Sequence, residues 1–410
     1  MKKLLLSASA LMLCVSMSFG QEHKIGDAPE KPEKPEIPRT PRVPNKSSLS
    51  QITNISSVWQ IGYGNKANVD QLGANKSLIE QYKVGNRATV DQEGEGNVSM
   101  QKQVGFYNRA SATQSGSGEN HSSRQWQYGY RNSATVVQSG TGNDNNDGNE
   151  ATQVQKGAYN DAYINQDGDD HDATQYQWGD NNNASAFQRG NNQDATQTQV
   201  GEDNSASVVQ NNGDSTGGND ATQFQWGEDN TAKAYQAGKK NEVIQIQEGE
   251  DHFAKSYQSG WDNDAYQLQM DWGNTAGVLQ VGGGNDSYQL QDNNDQIAGV
   301  AQFGDGNLAV QNQRDRAGDG FRSEYNVAGA LQVGEDNRSF QRQRGDGSAA
   351  SRNISLTAQF GNDNLAISEQ AGGRGNFNLT VQTGQYNYSN IFQWGAFNAA
   401  VVNQNSGGSN

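Results

Sequence analysis

Cysteine is all but missing: the 410-residue sequence holds one, Cys14, so no disulfide can staple the fold. Proline is confined to six positions between Pro29 and Pro44. Past residue 45 every residue can therefore donate its backbone N–H to a strand ladder. No long apolar run follows Leu4 to Val15, only 32% of residues are hydrophobic, and the mean hydropathy is −0.94. These values exclude an oily globular core and leave no segment able to span a bilayer as a helix. Positive charge is scarce too, with 30 Lys and Arg against 46 Asp and Glu. The net charge of −16, or −18 once Lys2 and Lys3 are removed, disfavours nucleic acid or an anionic membrane as partner and makes copies repel one another.

What is present divides the chain into four parts. Residues 1–20 join Lys2 and Lys3 to an apolar stretch and to the small residues Ser18 and Gly20, the pattern of a secretory signal peptide. Export is the expectation, with Cys14 lost on cleavage. Residues 21–53 place proline at every third position from Pro29 to Pro44, which suits an extended polyproline II segment. It reads as a spacer or as a segment that export machinery recognises. Residues 54–405 are repetitive, and 406–410 read as a flexible tail.

The repeat is Asn, any residue, Ala or Ser, three residues, Gln, any residue, then usually Gly, and it occurs thirty times. Asn160, Ala162 and Gln166 carry it, as do Asn182 and Gln188, Asn204 and Gln210, and Asn230 and Gln236. Units begin about eleven residues apart, and neighbours alternate in kind at the fifth position, so the true period is 22. One kind puts Gln there, which pairs Gln175 with Gln177, Gln197 with Gln199 and Gln223 with Gln225. The other kind is mostly aliphatic, as at Ile164 and Val208. Strict alternation over short segments broken by Gly, Asp and Asn argues for strands rather than helix. Length changes fall near Asn143 to Gly148, Asn212 to Gly217, Arg314 to Ser323 and Gly345 to Ala350, all between strands. The expected fold is all-β: a β-solenoid of about 15 two-stranded coils with parallel stacked strands.

Its interior would be polar. Stacked coils about 4.8 Å apart lay like residues over like, so Asn and Gln amides can bond along the axis and avoid the cost of burial without a partner. The outward residues beside the recurrent Gln are aromatic in one set of strands: Trp126 and Tyr128, Tyr176 and Trp178, Phe224 and Trp226, continued by Leu268 and Met270. They read as a solvent-facing stripe, used either for stacking within the molecule or for lateral contact and adhesion.

The string Gln-x-Gly-x-x-Asn-x-Ala-x-x-x-Gln, present at Gln60 to Gln71, Gln103 to Gln114, Gln127 to Gln138 and Gln177 to Gln188, resembles the curlin repeat of curli fibre subunits. The resemblance covers nearly all of the chain after residue 53. It implies a secreted functional amyloid, exported unfolded through an outer-membrane pore, nucleated at the bacterial cell surface and built into biofilm matrix. Self-association, a nucleator and the pore are the partners implied. This chain has more repeats than the usual curlin subunit, Asn or His where that repeat opens with Ser, as at Asn149 and His171, and the additional Gln at the fifth position.

No catalytic set is expected, and no cofactor or metal. His121, His171 and His252 occupy the Asn slot far apart in the stack, which suits a ladder role better than metal binding. Turn carboxylates such as Asp169 and Asp170 could meet a cation, but the turns lack calcium-loop spacing, and Gly282 to Asp286 is a fragment of a calcium-binding nonapeptide. A polysaccharide-cleaving β-helix would need longer coils and clustered acids. The alternative to a fibre subunit is a monomeric β-solenoid that acts as a surface adhesin or binds a ligand.

Overall fold

A computed structural model describes residues 54–116, 120–140, 148–212, 217–314, 325–344 and 352–406. The expected signal peptide, the proline-rich segment and the interiors of the four variable turns lie outside the described residues. So does the expected tail, apart from Ser406, which ends the strand Ala399–Ser406.

Among the described residues there are 28 strands and no helix. Two of the strands, Lys66–Val84 and Arg87–Phe106, run through a turn and hold two repeat units each, so the 28 strands carry the thirty units. At two units per coil, thirty units make about 15 coils. The fold is the parallel β-solenoid expected from the sequence, and partners in a ladder are typically 22 residues apart. The chain forms two compact units, one ending at Gly227 and one beginning at Glu228.

In the unit ending at Gly227, successive strands alternate between two parallel ladders. Glu150–Ala158, Asp172–Asp180 and Asp194–Glu202 stack in one. Asp161–Asp169, Asn183–Asn191 and Ser205–Asn211 stack in the other. Register lays like over like: Gln155 over Gln177 over Gln199, and Ala162 over Ala184 over Ala206. The unit beginning at Glu228 repeats the plan, with Glu242–Glu250, Asp264–Trp272 and Asp286–Asp292 in one ladder and Phe253–Trp261, Thr275–Gly283 and Ile297–Asp305 in the other.

Side chains alternate across each strand, so the third, fifth and seventh positions of a unit enter the space between the two ladders. Ala173, Gln175 and Gln177 do so from one side, Ala162, Ile164 and Gln166 from the other, and all six are buried. Alanine at the third position keeps the interior narrow.

The corners explain the Gly-x-x-Asn spacing. Gly179 has φ +108°, and a Cβ there would lie 2.1 Å from the carbonyl oxygen of Gly201 in the next coil. Only glycine permits both the backbone angle and the approach. Two residues later Asn181 sits at φ 56°, the left-handed conformation that Asn and Asp tolerate best among side-chain-bearing residues. The Gly179→Ala variant should lose about 1–3 kcal/mol of stability from strain and displacement of the neighbouring carbonyl. Urea unfolding of the mature chain checks this, and an unchanged midpoint would contradict the corner geometry.

Candidate functional site

The seventh-position glutamines form an unbroken donor chain. Gln155 Nε2 donates to Gln177 Oε1 at 2.8 Å, Gln177 to Gln199 at 2.9 Å and Gln199 to Gln225 at 2.9 Å. In the facing ladder Gln166 donates to Gln188 at 2.9 Å and Gln188 to Gln210 at 3.0 Å. Gln236 donates likewise to Gln258 at 3.0 Å. The same amides reach across the interior: Gln177 Nε2 to the Asp161 carbonyl at 2.8 Å, Gln188 Nε2 to that of Asp172 at 2.9 Å. Each glutamine thus ties its coil both to the next coil and to the opposite ladder.

The additional glutamines run a parallel chain. Gln153, Gln175, Gln197 and Gln223 are linked at 3.0, 2.8 and 2.9 Å, and Gln175 also donates to the Tyr163 carbonyl opposite at 3.0 Å. A polar residue fits there because the facing ladder offers a strand carbonyl beside the small or aliphatic side chain.

Asparagine works at the corner. Asn160 Oδ1 accepts the backbone N–H of Asn182 at 3.0 Å and its Nδ2 at 3.1 Å, and Asn182 Oδ1 does the same for Asn204. Asn160 Nδ2 donates to the Gly179 carbonyl at 2.7 Å, and Asn230 Nδ2 to that of Gly249 at 2.8 Å. Replacing Gln177 by Leu would leave Gln199 Oε1 without this donor and remove the acceptor of Gln155. A loss of at least about 2 kcal/mol is expected, more than apolar gain restores, because orphaned buried amides cost about 1–3 kcal/mol each. Thermal unfolding of the variant checks it.

The three histidines keep the corner bond with a ring nitrogen in place of the asparagine oxygen. Nδ1 of His121, His171 and His252 accepts the backbone N–H of Asn149, Gln193 and Asn274 at 3.1, 3.2 and 3.2 Å. The proton of the neutral ring therefore sits on Nε2, which points at the carbonyls of Asp167 and Glu248 from His171 and His252. Burial holds all three rings down at about 4, although nearby backbone carbonyls and Asp169, Asp167, Asp271 and Asp251 pull the other way. Since the folded value lies below the ordinary 6.5, the unfolded chain takes up protons first. Stability is lost as pH falls from about 6.5, and the loss is complete below about 4, at about 3 kcal/mol per histidine. Asp264 is displaced the other way, up to about 6, by burial and by the stacked carboxylates Asp286 and Glu242. Its contribution is present at acid pH and is lost as pH rises through about 6. The triple variant His121→Asn, His171→Asn, His252→Asn should flatten the acid limb of a plot of Tm against pH and leave the neutral limb unchanged.

The aromatic stripe read from the sequence is corrected in part. Trp126 and Tyr176 are each only 3% exposed and pack with Val154 and Tyr128 in one cluster. They do point away from the amide interior, but coils spaced about 4.8 Å apart are closer than a ring is wide, so outward rings cover each other. Tyr128, Trp178 and Phe224 are half-buried, and Trp226 is 57% exposed. Intramolecular stacking therefore accounts for the buried members.

A different outward surface escaped the sequence reading. In the unit beginning at Glu228, five successive strands of one ladder present no ionisable side chain at their four outward positions: Thr275–Gly283, Ile297–Asp305, Val327–Val333, Ile354–Asn362 and Phe377–Gln385. Ala301, Leu331 and Ala358 form its centre, with Leu279, Phe303, Leu356, Phe360, Leu379 and Val381 packed around them. Lys233 and Lys255 border it on the strands before. The signal was legible in each strand as an uncharged alternate set, but only stacking turns five such sets into one face.

At each end the terminal strand of each ladder pairs on a single side: Ile55–Tyr63 and the first half of Lys66–Val84 at one end, Tyr388–Trp394 and Ala399–Ser406 at the other. Ile55–Tyr63 pairs with Lys66–Val84 alone, and its inward row is open, with Val58 46% exposed. Ala399–Ser406 pairs with Phe377–Gln385 alone. Among the described residues no group of three or more His, Cys, Asp or Glu could hold a metal, and no helix is long and apolar enough to cross a membrane.

Fold and interior together define a class: a β-solenoid stabilised by hydrogen-bonded amide columns. Residues 85–118 match the family model described as the curlin associated repeat. The quoted string from Gln103 to Gln114 lies within that stretch. The match points to a curli-like structural or adhesion protein, since the family is structural rather than enzymatic. No curated protein matches the chain.

Proposed function

We propose that the mature chain is a secreted subunit that self-assembles end to end into curli-like amyloid fibres of the extracellular matrix at the bacterial surface, supporting adhesion and biofilm. The observation that carries this reading is the complementarity of the two terminal coils. Every glutamine-to-glutamine bond given by the structure is donated toward the C-terminal side, as from Gln60 to Gln81 and from Gln382 to Gln404. Every corner asparagine accepts from that side, as Asn65 does from Asn86 and Asn376 from Asn398. The first coil thus presents glutamine acceptors and asparagine-row donors, and the last coil presents the reverse.

Head-to-tail addition continues both rows. Head-to-head addition would set Oε1 against Oε1, so the fibre is polar. Unpaired strand edges at both ends supply the backbone template. A dedicated nucleator and an outer-membrane pore complete the scheme and rest on the curlin kinship.

Wild-type mature chain should raise thioflavin fluorescence and form fibres with a reflection near 4.8 Å. Val58→Pro and Asn403→Pro each remove a backbone donor from the free edge of an end strand and should slow growth at least tenfold. A wild type that stays monomeric at all concentrations would favour the adhesin reading, and growth of both variants at the wild-type rate would overturn end-to-end addition.

A further inference from the structure

The uncharged face in the unit beginning at Glu228 carries a pattern that specifies its own partner. Along its second outward column, six successive rungs read Gly277, Gly299, Gly329, Leu356, Leu379, Val401. Register places them in line: Gly277 beside Gly299, Gly329 beside Leu356, Leu356 beside Leu379 and Leu379 beside Val401, while Ile297 beside Val327 and Val300 beside Ala330 bracket Gly299 opposite Gly329. Half the column is therefore a trough and half a ridge, with the same rung spacing. Val401 stands 65% exposed at the end of the ridge.

We propose that this face binds the same face of a second copy of the chain, about a two-fold axis that runs along the strands between Gly329 and Leu356. That operation reverses the order of rungs and keeps each column opposite itself. Leu356 then meets Gly329 of the second copy, Leu379 meets Gly299 and Val401 meets Gly277, and each contact occurs twice, as a closed isologous interface requires. Of the two neighbouring columns, one sets Leu331 opposite Ala358 and Ala301 opposite Val381, and the other sets Val327 opposite Ile354 and Ile297 opposite Phe377. A periodic trough matched by a periodic ridge of equal pitch is the shape of another copy of this surface.

Charge and size agree with that occupant. The chain carries −16 overall, so two copies approach at least cost where no outward side chain is ionisable. Six rungs about 4.8 Å apart and about 24 Å of strand give roughly 700 Å² per copy, or about 1,400 Å² buried in total, within the range of a specific interface. The pairing is lateral and does not rest on fibre growth.

The test uses the mature chain carrying Val58→Pro, which holds end-to-end growth down, and measures association by sedimentation equilibrium. The background chain should be a dimer. Adding Gly299→Leu fills the trough and should weaken the dimer at least tenfold. Adding Leu379→Gly to that variant moves the ridge to the other side of the same contact and should restore the dimer, with the same circular dichroism throughout. Trp178→Ser with Trp226→Ser, on the other ladder, should leave the dimer intact. A background chain that is monomeric at every concentration overturns the proposal, whether or not wild type forms fibres. So does failure of the swap to restore a dimer, or a monomer that instead floats with neutral lipid vesicles, which would assign the face to a bilayer.

Discussion

The amide-to-amide hydrogen bond between glutamines of successive coils is the constraint from which the remaining features follow. A buried primary amide has two donor protons and an acceptor to satisfy, and in a narrow interior only the same group one coil away and a strand carbonyl opposite are in reach. Gln177 meets both demands, with Gln199 on one side and Asp161 on the other. Once glutamine is fixed at that position, coil height cannot differ from the strand spacing, the opposite ladder must stand close, and alanine must hold the third position. The stability that a globular protein draws from apolar area is here drawn in large part from hydrogen-bonded columns of polar groups.

The corners follow the same logic. Asparagine at the start of each unit accepts the next coil's backbone N–H and donates to the carbonyl of a glycine. That glycine is required because the next coil's carbonyl occupies the place of its Cβ. Histidine can replace asparagine since Nδ1 offers an acceptor in the same direction, but it does so only when neutral. Acid pH therefore turns an acceptor into a donor that confronts a backbone N–H. Asp264, buried beside stacked carboxylates, has the opposite dependence.

With the narrow interior filled by paired amides and small or aliphatic side chains, aromatic residues have only the outer surfaces left. In one unit they cover each other, as Trp126 and Tyr176 do around Val154. In the other, outward apolar side chains gather into an uncharged face on five rungs, centred on Leu331. On the proposed reading two tasks are separate: growth along the axis is directed by hydrogen-bond polarity, and lateral contact by the shape of outward columns.

Much of this was readable from residue order. Thirty recurrences of one pattern fixed the strands, the coil of two units and the identity of the inward side chains, because a parallel stack in register makes sequence period and spatial period the same quantity. Residues such as Gln175 and Asn160 could be assigned to the interior with no knowledge of coordinates. Exposure of outward side chains could not be assigned, since it depends on what the coils above and below place in the same column. Trp126 looked solvent-facing in its own strand and is covered by neighbours 28 and 50 residues away, as the register Trp126 to Val154 to Tyr176 shows. The direction of the donor chain and the trough-and-ridge column likewise exist only between strands, so the sequence by itself determined the repeating unit, and the stacking of units decided polarity, exposure and surface shape.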